Sequence, residues 1–426
     1  MRLVLRNKSF LIKFLLVTEL LWPIGSAHAN LASVSSEDSN LIIQRVQREL
    51  LSRPGDMQLS FALGMAYQSI KKHDTAIKIF RGMLRVDPYA ARPRLELAYS
   101  LFALEEYDEA LFHFEQLKAA KLPIEVKLSV ERFIDQIRLT KPMFKYEISL
   151  ISNDNPNKTT SSSNIMMRGV RYSLNSDAQK QTVRGVKAVF DAQIPLNTDR
   201  HFFTGLGVEH NEYDLKSINL TVLQTVFGHK KKIGGSLIIT KLGLMGAEYS
   251  KAPLYHGPSF SVGWTSPIST KANLTASFSL QKLQYATEYS GYDVTSKNYE
   301  IGVENSSDIT LHQIFKAGHL KYPAKLTFNA FDESYISALI SKEFSRGWRA
   351  WVEFKAHYKE FYGDDPLFGV TRKDRVNNWE LGMANTDLNF AGWTPTILFS
   401  WSVGKSNIEL NQYKQNTALV TFGKVF

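Results

Sequence analysis

Between Trp348 and Tyr358 the chain alternates, and that alternation limits its fold more than any other stretch does. Trp348, Ala350, Val352, Phe354, Ala356 and Tyr358 fall on one side of an extended strand. Arg349, Glu353, Lys355 and His357 fall on the other, with Trp351 the one apolar exception. Successive side chains of a strand point to opposite faces, so this segment has a greasy face and a charged face. The greasy face opens and closes on an aromatic ring. At a tilt of about 45° it rises roughly 24 Å, close to the apolar band of an outer-membrane barrel between its two aromatic girdles. A soluble sandwich strand also alternates, but is usually shorter and carries no need for rings at both ends.

Bulk properties agree with this. With 426 residues, two or more units are expected. After the N-terminal segment no run of eighteen apolar residues occurs, which excludes helical membrane spans there. Barrel strands escape such averages because half of each is polar. The chain has no cysteine, which removes disulfides, thiol catalysis, cysteine-based metal sites and an N-terminal lipid anchor. A net charge of +10 reads as a solvated, lysine-rich surface and not as a nucleic-acid interface, because no basic helix stands out.

Met1 to Ala29 has the form of a secretory signal: Arg2, Arg6 and Lys8, an apolar core from Phe10 to Trp22, and Ala27-His28-Ala29 for cleavage. The mature chain is expected to begin at Asn30, in the envelope of a Gram-negative cell. Residues 30–141 then form an expected helical domain, and 142–426 an expected barrel.

In the helical part Leu63, Gly64, Tyr67, Ala76, Phe80 and Pro88 recur 34 residues on as Leu97, Ala98, Leu101, Ala110 and Phe114, with Pro123 one place late. This resembles the tetratricopeptide repeat, whose small residues let paired helices close and whose phenylalanine fills the space between pairs. Two repeats leave apolar ends open, so Leu41–Leu51 and Glu125–Leu139 are expected as capping helices. By resemblance to other repeats of this kind, Gln58, Phe61, Met65, Tyr99 and Phe102 line a concave protein-binding face. For Phe61 and Phe102, core packing is an equal alternative.

Thr140-Lys141-Pro142 ends the helices. From Lys145 onward alternation dominates, as in Leu274-Ala276-Phe278-Leu280 and Ile397-Phe399-Trp401-Val403. The facing residues are small and polar, which suits a hydrated lumen. Fifteen alternating segments can be picked out, one of them near residue 165. A bacterial barrel with both ends in the periplasm needs an even number, and about 20 residues per strand and connection gives about fourteen, with sixteen the alternative. Ile309–Phe331, interrupted by glycine and proline, is the expected miscount. The chain ends on Phe426, resembling the signal read by barrel-assembly machinery, with Lys424 interrupting the apolar series.

No metal-protease, serine-hydrolase or phosphate-loop motif is present, and the ten histidines are scattered. The last sixty or so residues carry a closer likeness: Asp365-Pro366-Leu367-Phe368-Gly369, Arg372-Lys373-Asp374-Arg375, Gly392-Trp393-Thr394-Pro395-Thr396, Ser406-Asn407-Ile408 and Lys424-Val425-Phe426. Together with the order signal, tetratricopeptide-type helical domain and barrel opening at Phe144-Lys145-Tyr146-Glu147, this resembles the surface lipoprotein assembly modulator (Slam) family. The resemblance implies an outer-membrane translocator for surface lipoproteins or secreted haem- or metal-scavenging proteins. It implies helical repeats that meet cargo or periplasmic chaperones, insertion by the barrel-assembly machinery, and no cofactor. A general diffusion porin and an envelope anchor are the rival readings.

Overall fold

A computed structural model of the chain describes residues 36–175, 179–197, 201–385, 388 and 393–423. The expected signal, Gly392 and the segment Lys424–Phe426 lie outside the described residues.

Among the described residues six helices come first: α1 (Ser36–Ser52), α2 (Met57–Ser69), α3 (His73–Val86), α4 (Ala91–Ala103), α5 (Tyr107–Leu117) and α6 (Ile124–Thr140). Asp56 caps α2 by accepting from the Gln58 and Leu59 amides, each at 3.0 Å. Lys71 and Glu105, at φ 60° and 63°, turn the chain after α2 and α4. Consecutive helices pack as antiparallel neighbours around Phe80 and Phe114, both fully buried. Gly64 lies against the Phe80 ring so closely that a Cβ there would sit 2.6 Å from it. α6 closes one end by stacking Phe133 on Phe114 at 4.9 Å. α1 closes the other with Ile43 and Val46 against Leu63 and Ala66. No described helix is long and apolar enough to cross a membrane.

The strands are β1 (Met143–Asn153), a separate hairpin of β2 (Asn164–Met167) and β3 (Val170–Ser173), then β4 (Val183–Asn197), β5 (Phe202–Tyr213), β6 (Leu220–Ile233) and β7 (Ser236–Tyr249). They continue with β8 (Ala252–Pro267), β9 (Ala272–Tyr285), β10 (Val294–Ser306), β11 (Leu311–Tyr322) and β12 (Phe331–Glu343). Last come β13 (Trp348–Asp364), β14 (Thr371–Asn385), β15 (Thr394–Ser406) and β16 (Tyr413–Gly423). Fourteen of them, β1 and β4 to β16, form one closed antiparallel barrel. β1 seals it, pairing with β4 and with β16 from Glu147↔Gly423 to Asn153↔Thr417. Closure leaves no strand edge unpaired, as lipid requires.

The fifteenth sequence segment is the β2–β3 hairpin, not a miscount within Ile309–Phe331. Arg168 and Gly169, both at positive φ, turn that hairpin within the Asn- and Ser-rich connection from β1 to β4. Ile309–Phe331 holds one full barrel strand, β11. Pro323 falls after it, beyond the last ladder pair Tyr322↔Phe331, and interrupts nothing.

β13 carries its two faces as its sequence alternates. Trp348 and Tyr358 point outward, 43% and 39% exposed. Trp351, the exception, points inward: its indole Nε1 donates to Glu380 at 3.4 Å and its ring covers Gly382. Phe203 over Gly228, Tyr335 over Gly318 and Tyr413 over Gly404 repeat the arrangement. Each ring fills the space a neighbouring glycine leaves on the strand beside it.

Candidate functional site

Both described ends of the barrel sheet lie at the end of the short turns, such as Gly234-Gly235 between β6 and β7. In outer-membrane barrels that end is periplasmic. The helices are fastened across it, and the junction between helices and mouth is the candidate site.

The main fastening begins with a residue out of place on its own helix. In α4, Arg94 lies on the same stripe as Leu97 and Leu101, and it is 1% exposed. An unpaired guanidinium would not tolerate that burial. Its Nη2 donates to Glu343 at the end of β12 at 2.7 Å and to the Pro88 carbonyl at 2.8 Å, and its Nη1 donates to His113 Nδ1 at 3.2 Å. Burial, with Arg94 beside it, holds the His113 pKa below its ordinary value despite the opposing pull of Glu109. A neutral ring with Nδ1 free to accept suits the Arg94 donor. Burial would raise Glu109, but hydrogen bonding from His113 and the charge of Arg81 outweigh it and hold the carboxylate below its usual range.

Three hairpins meet the helices, two of them beside this pair and one across the ring. Ile309, in the β10–β11 turn, is 5% exposed because it enters the main helical core. In the β12–β13 turn the Arg346 amide donates to the Arg85 carbonyl at 2.7 Å, and Arg349 lies over the Phe112 ring at 4.5 Å. Toward the β6–β7 turn, Lys230 Nζ donates to the Arg138 carbonyl at 2.6 Å and Lys232 pairs with Asp135. α5 also touches β1, and α6 touches β4. β6 and β12 lie on opposite arcs of the ring, so α5 and α6 run across the mouth.

Behind the helices the lumen of β10–β14 is charged in both signs. Lys316 pairs with Glu300 at 3.0 Å, and Tyr335 donates to the same carboxylate at 2.7 Å. Glu333 pairs with His357 at 2.6 Å and with Lys359 at 3.1 Å. Arg372 pairs with Asp374 at 2.7 Å, and Glu353 and Glu380 face each other as register partners. Among the described residues, no three His, Asp or Glu side chains are grouped to hold a metal ion.

The residues singled out from the repeat occupy α2 and α4. Gln58 is open to solvent at the start of α2, and Met65 is closed into the core. Phe61 lies half-buried against Phe80 at 5.9 Å, with the Arg92 guanidinium 4.5 Å over its ring. Tyr99 and Phe102 are brought together beneath α6, at 6.0 Å and 5.0 Å from Phe133. Sequence reasoning missed Arg94, Glu343 and Ile309. Only Arg94 left a trace, as a charged residue on an apolar helical stripe.

Residues 249–426 match the family model described as Surface lipoprotein assembly modifier. A curated relative of that name from Pasteurella multocida (strain Pm70) is 20% identical over 408 residues, spanning 88% of this chain and 77% of the relative. Similar solved structures include the TodX monoaromatic hydrocarbon channel deltaS2 mutant, 10% identical, covering 69% of this chain and 92% of that one at a TM-score of 0.42. Another is OccK1 (OpdK) of Pseudomonas aeruginosa, 9% identical, covering 66% and 98% at a TM-score of 0.33.

Proposed function

We propose that the chain, whose residues 249–426 match the Surface lipoprotein assembly modifier family model, is an outer-membrane translocator for specific surface lipoproteins or secreted haem- or metal-scavenging proteins. In this reading residues 1–29 are the export signal, 30–141 a tetratricopeptide-like periplasmic domain and 142–426 the barrel. The helical domain engages cargo or a periplasmic chaperone and presents it at the mouth. Gln58 and the exposed edge of Phe61 are the parts of the proposed binding face that cargo reaches first; Tyr99 and Phe102 become reachable if α6 shifts. The single observation that carries the reading is the helical layer fastened across the periplasmic mouth of a polar, closed barrel. A protein entering the lumen from that side meets the helices before it meets the strands. No hydrolysed nucleotide is assigned, and folding of the cargo outside would supply the direction.

The test is to express a neighbouring cargo gene with the intact chain, with the chain lacking residues 36–139, and with neither, and to shave intact cells with protease. Surface exposure should require the intact chain. Equal exposure in all three strains refutes translocation. Steady conductance that survives the deletion, with unchanged cargo display, supports a diffusion channel instead.

A further inference from the structure

Outward side chains of a barrel lose charge where they meet hydrocarbon and regain it at the interfaces. On β14 to β16 the charge that returns at the extracellular end is all of one sign. Arg375 and Lys405 are register partners, and Lys414 stands opposite Val403, two residues below Lys405 on the same face. All three are exposed. Like charges set opposite each other on adjacent strands destabilise the pair. The nearby carboxylates among the described residues are engaged elsewhere: Glu360 with Lys373, Asp154 with Lys180 at 2.6 Å, and Asp374 with Arg372 at 2.7 Å on the inward side. Among the described residues Arg375 reaches only the Tyr358 ring, at 5.9 Å. Among the described residues no carboxylate pairs with Lys405 or Lys414.

Directly below, the same face carries a shallow groove. Ala418 forms its floor, with Phe399 its partner on β15 and Ser152 its partner on β1. Trp401, stacked on Trp379 at 6.2 Å, forms the wall beneath the basic cluster. Lys405 stands four residues beyond Trp401, a rise of roughly 9 Å along the membrane normal, from the aromatic belt to the headgroup layer. Asp154 and Asn416 line the groove toward the cations, with the Asp154 carboxylate held by Lys180 and by the Asn416 amide. Below them Phe399, Trp401 and Ala418 give an apolar slot, and together with the cations above it is complementary to an anion carrying acyl chains.

We propose that Arg375, Lys405 and Lys414 bind the phosphates of the phosphorylated glycolipid of the outer leaflet, with one acyl chain seated in the groove over Ala418. The proposal rests on the outer-membrane placement of the barrel and is independent of what the barrel carries. A lipopeptide anchor shares the acyl chains but offers no phosphate to the cations, and phosphatidylglycerol offers a single one.

The full-length protein in mild detergent would be titrated with bisphosphorylated glycolipid, its phosphatase-treated form, phosphatidylglycerol and a triacylated lipopeptide, and retention read by native mass spectrometry. The bisphosphorylated glycolipid should be retained at least about tenfold better than the other three. Lys405→Gln with Lys414→Gln should weaken it on the order of fivefold per lysine, and Lys405→Arg with Lys414→Arg should preserve it. Equal retention of the phosphorylated and stripped glycolipids, or undiminished binding by the glutamine variant, overturns the proposal. Stronger retention of phosphatidylglycerol or lipopeptide overturns the choice of ligand. If the glutamine variant does not show the heat-modifiable migration of a folded barrel, the comparison of lipids on the native chain still decides.

Discussion

The pair Arg94–Glu343 gives a prediction whose asymmetry is as informative as its size. Glu343→Gln leaves a guanidinium 1% exposed without a counterion, whereas Arg94→Met leaves a carboxylate whose side chain is 17% exposed and able to draw on water. Removing one partner of a buried pair costs roughly 3–5 kcal/mol. Arg94 would keep its bonds to the Pro88 carbonyl and His113, so about 3 kcal/mol is expected for Glu343→Gln and about half of that for Arg94→Met. The double variant should recover part of the loss, because it leaves neither charge alone. Urea titration of the micelle-held protein, following the helical circular-dichroism signal while the barrel stays folded, reads these values. With a slope of about 2 kcal/mol per molar urea, Glu343→Gln should lower the helical midpoint by about 1.5 M. An unchanged midpoint, or a larger loss from Arg94→Met than from Glu343→Gln, would refute the reasoning. The first would mean that the helices are not held to the barrel by this pair. The second would place the burial penalty on the wrong partner.

Two further outcomes test the helices and the barrel wall. Glu96 is 3% exposed, and burial raises its pKa to about 7 from 4.5, against the opposing influence of Arg92 and Gln68. The folded state binds that proton more tightly than the unfolded state, so helical stability should be highest below pH 4.5 as far as this group is concerned and fall as pH rises to about 7. The loss is of the order of 3 kcal/mol, and Glu96→Gln should remove it, raising the urea midpoint at neutral pH while leaving the acid midpoint unchanged. A Cβ at Gly382 would sit 2.0 Å from the Trp351 ring, so Gly382→Val should displace that ring at a cost of about 1–3 kcal/mol, seen as a lower temperature for loss of the compact gel band; Trp351→Leu in the same chain should restore it.

What the sequence revealed was periodic or local. Alternation along β13 and β15 identified the barrel, and the recurrence of Phe80 as Phe114 identified the paired helices, because both depend on neighbours a few residues away. The hairpin at 164–173 defeated the strand count for a related reason. Four-residue strands alternate too briefly to distinguish a barrel wall from a loop ornament. Trp351 broke the pattern of its strand because its reason lies across the sheet at Gly382. The junction was hidden most completely, since Arg94 and Glu343 are 249 residues apart. No local spacing links them, and Ile309 looks like any other apolar turn residue until the helices are set beside it. The residues named for the concave face were chosen by repeat position alone. Position does not reveal that Met65 is sealed in and that Phe133 lies over Tyr99 and Phe102.

Ile309 also bears on the order in which the molecule is completed. The helices it enters end at Thr140, so their sequence is complete well before the residue that fills their core. Until the β10–β11 hairpin forms, that core carries a gap the size of one isoleucine side chain, and buried gaps loosen the packing around them. The tightness of the helical layer therefore reports on the register of a barrel built after it. A barrel that closes with this hairpin displaced leaves slack helices at its mouth.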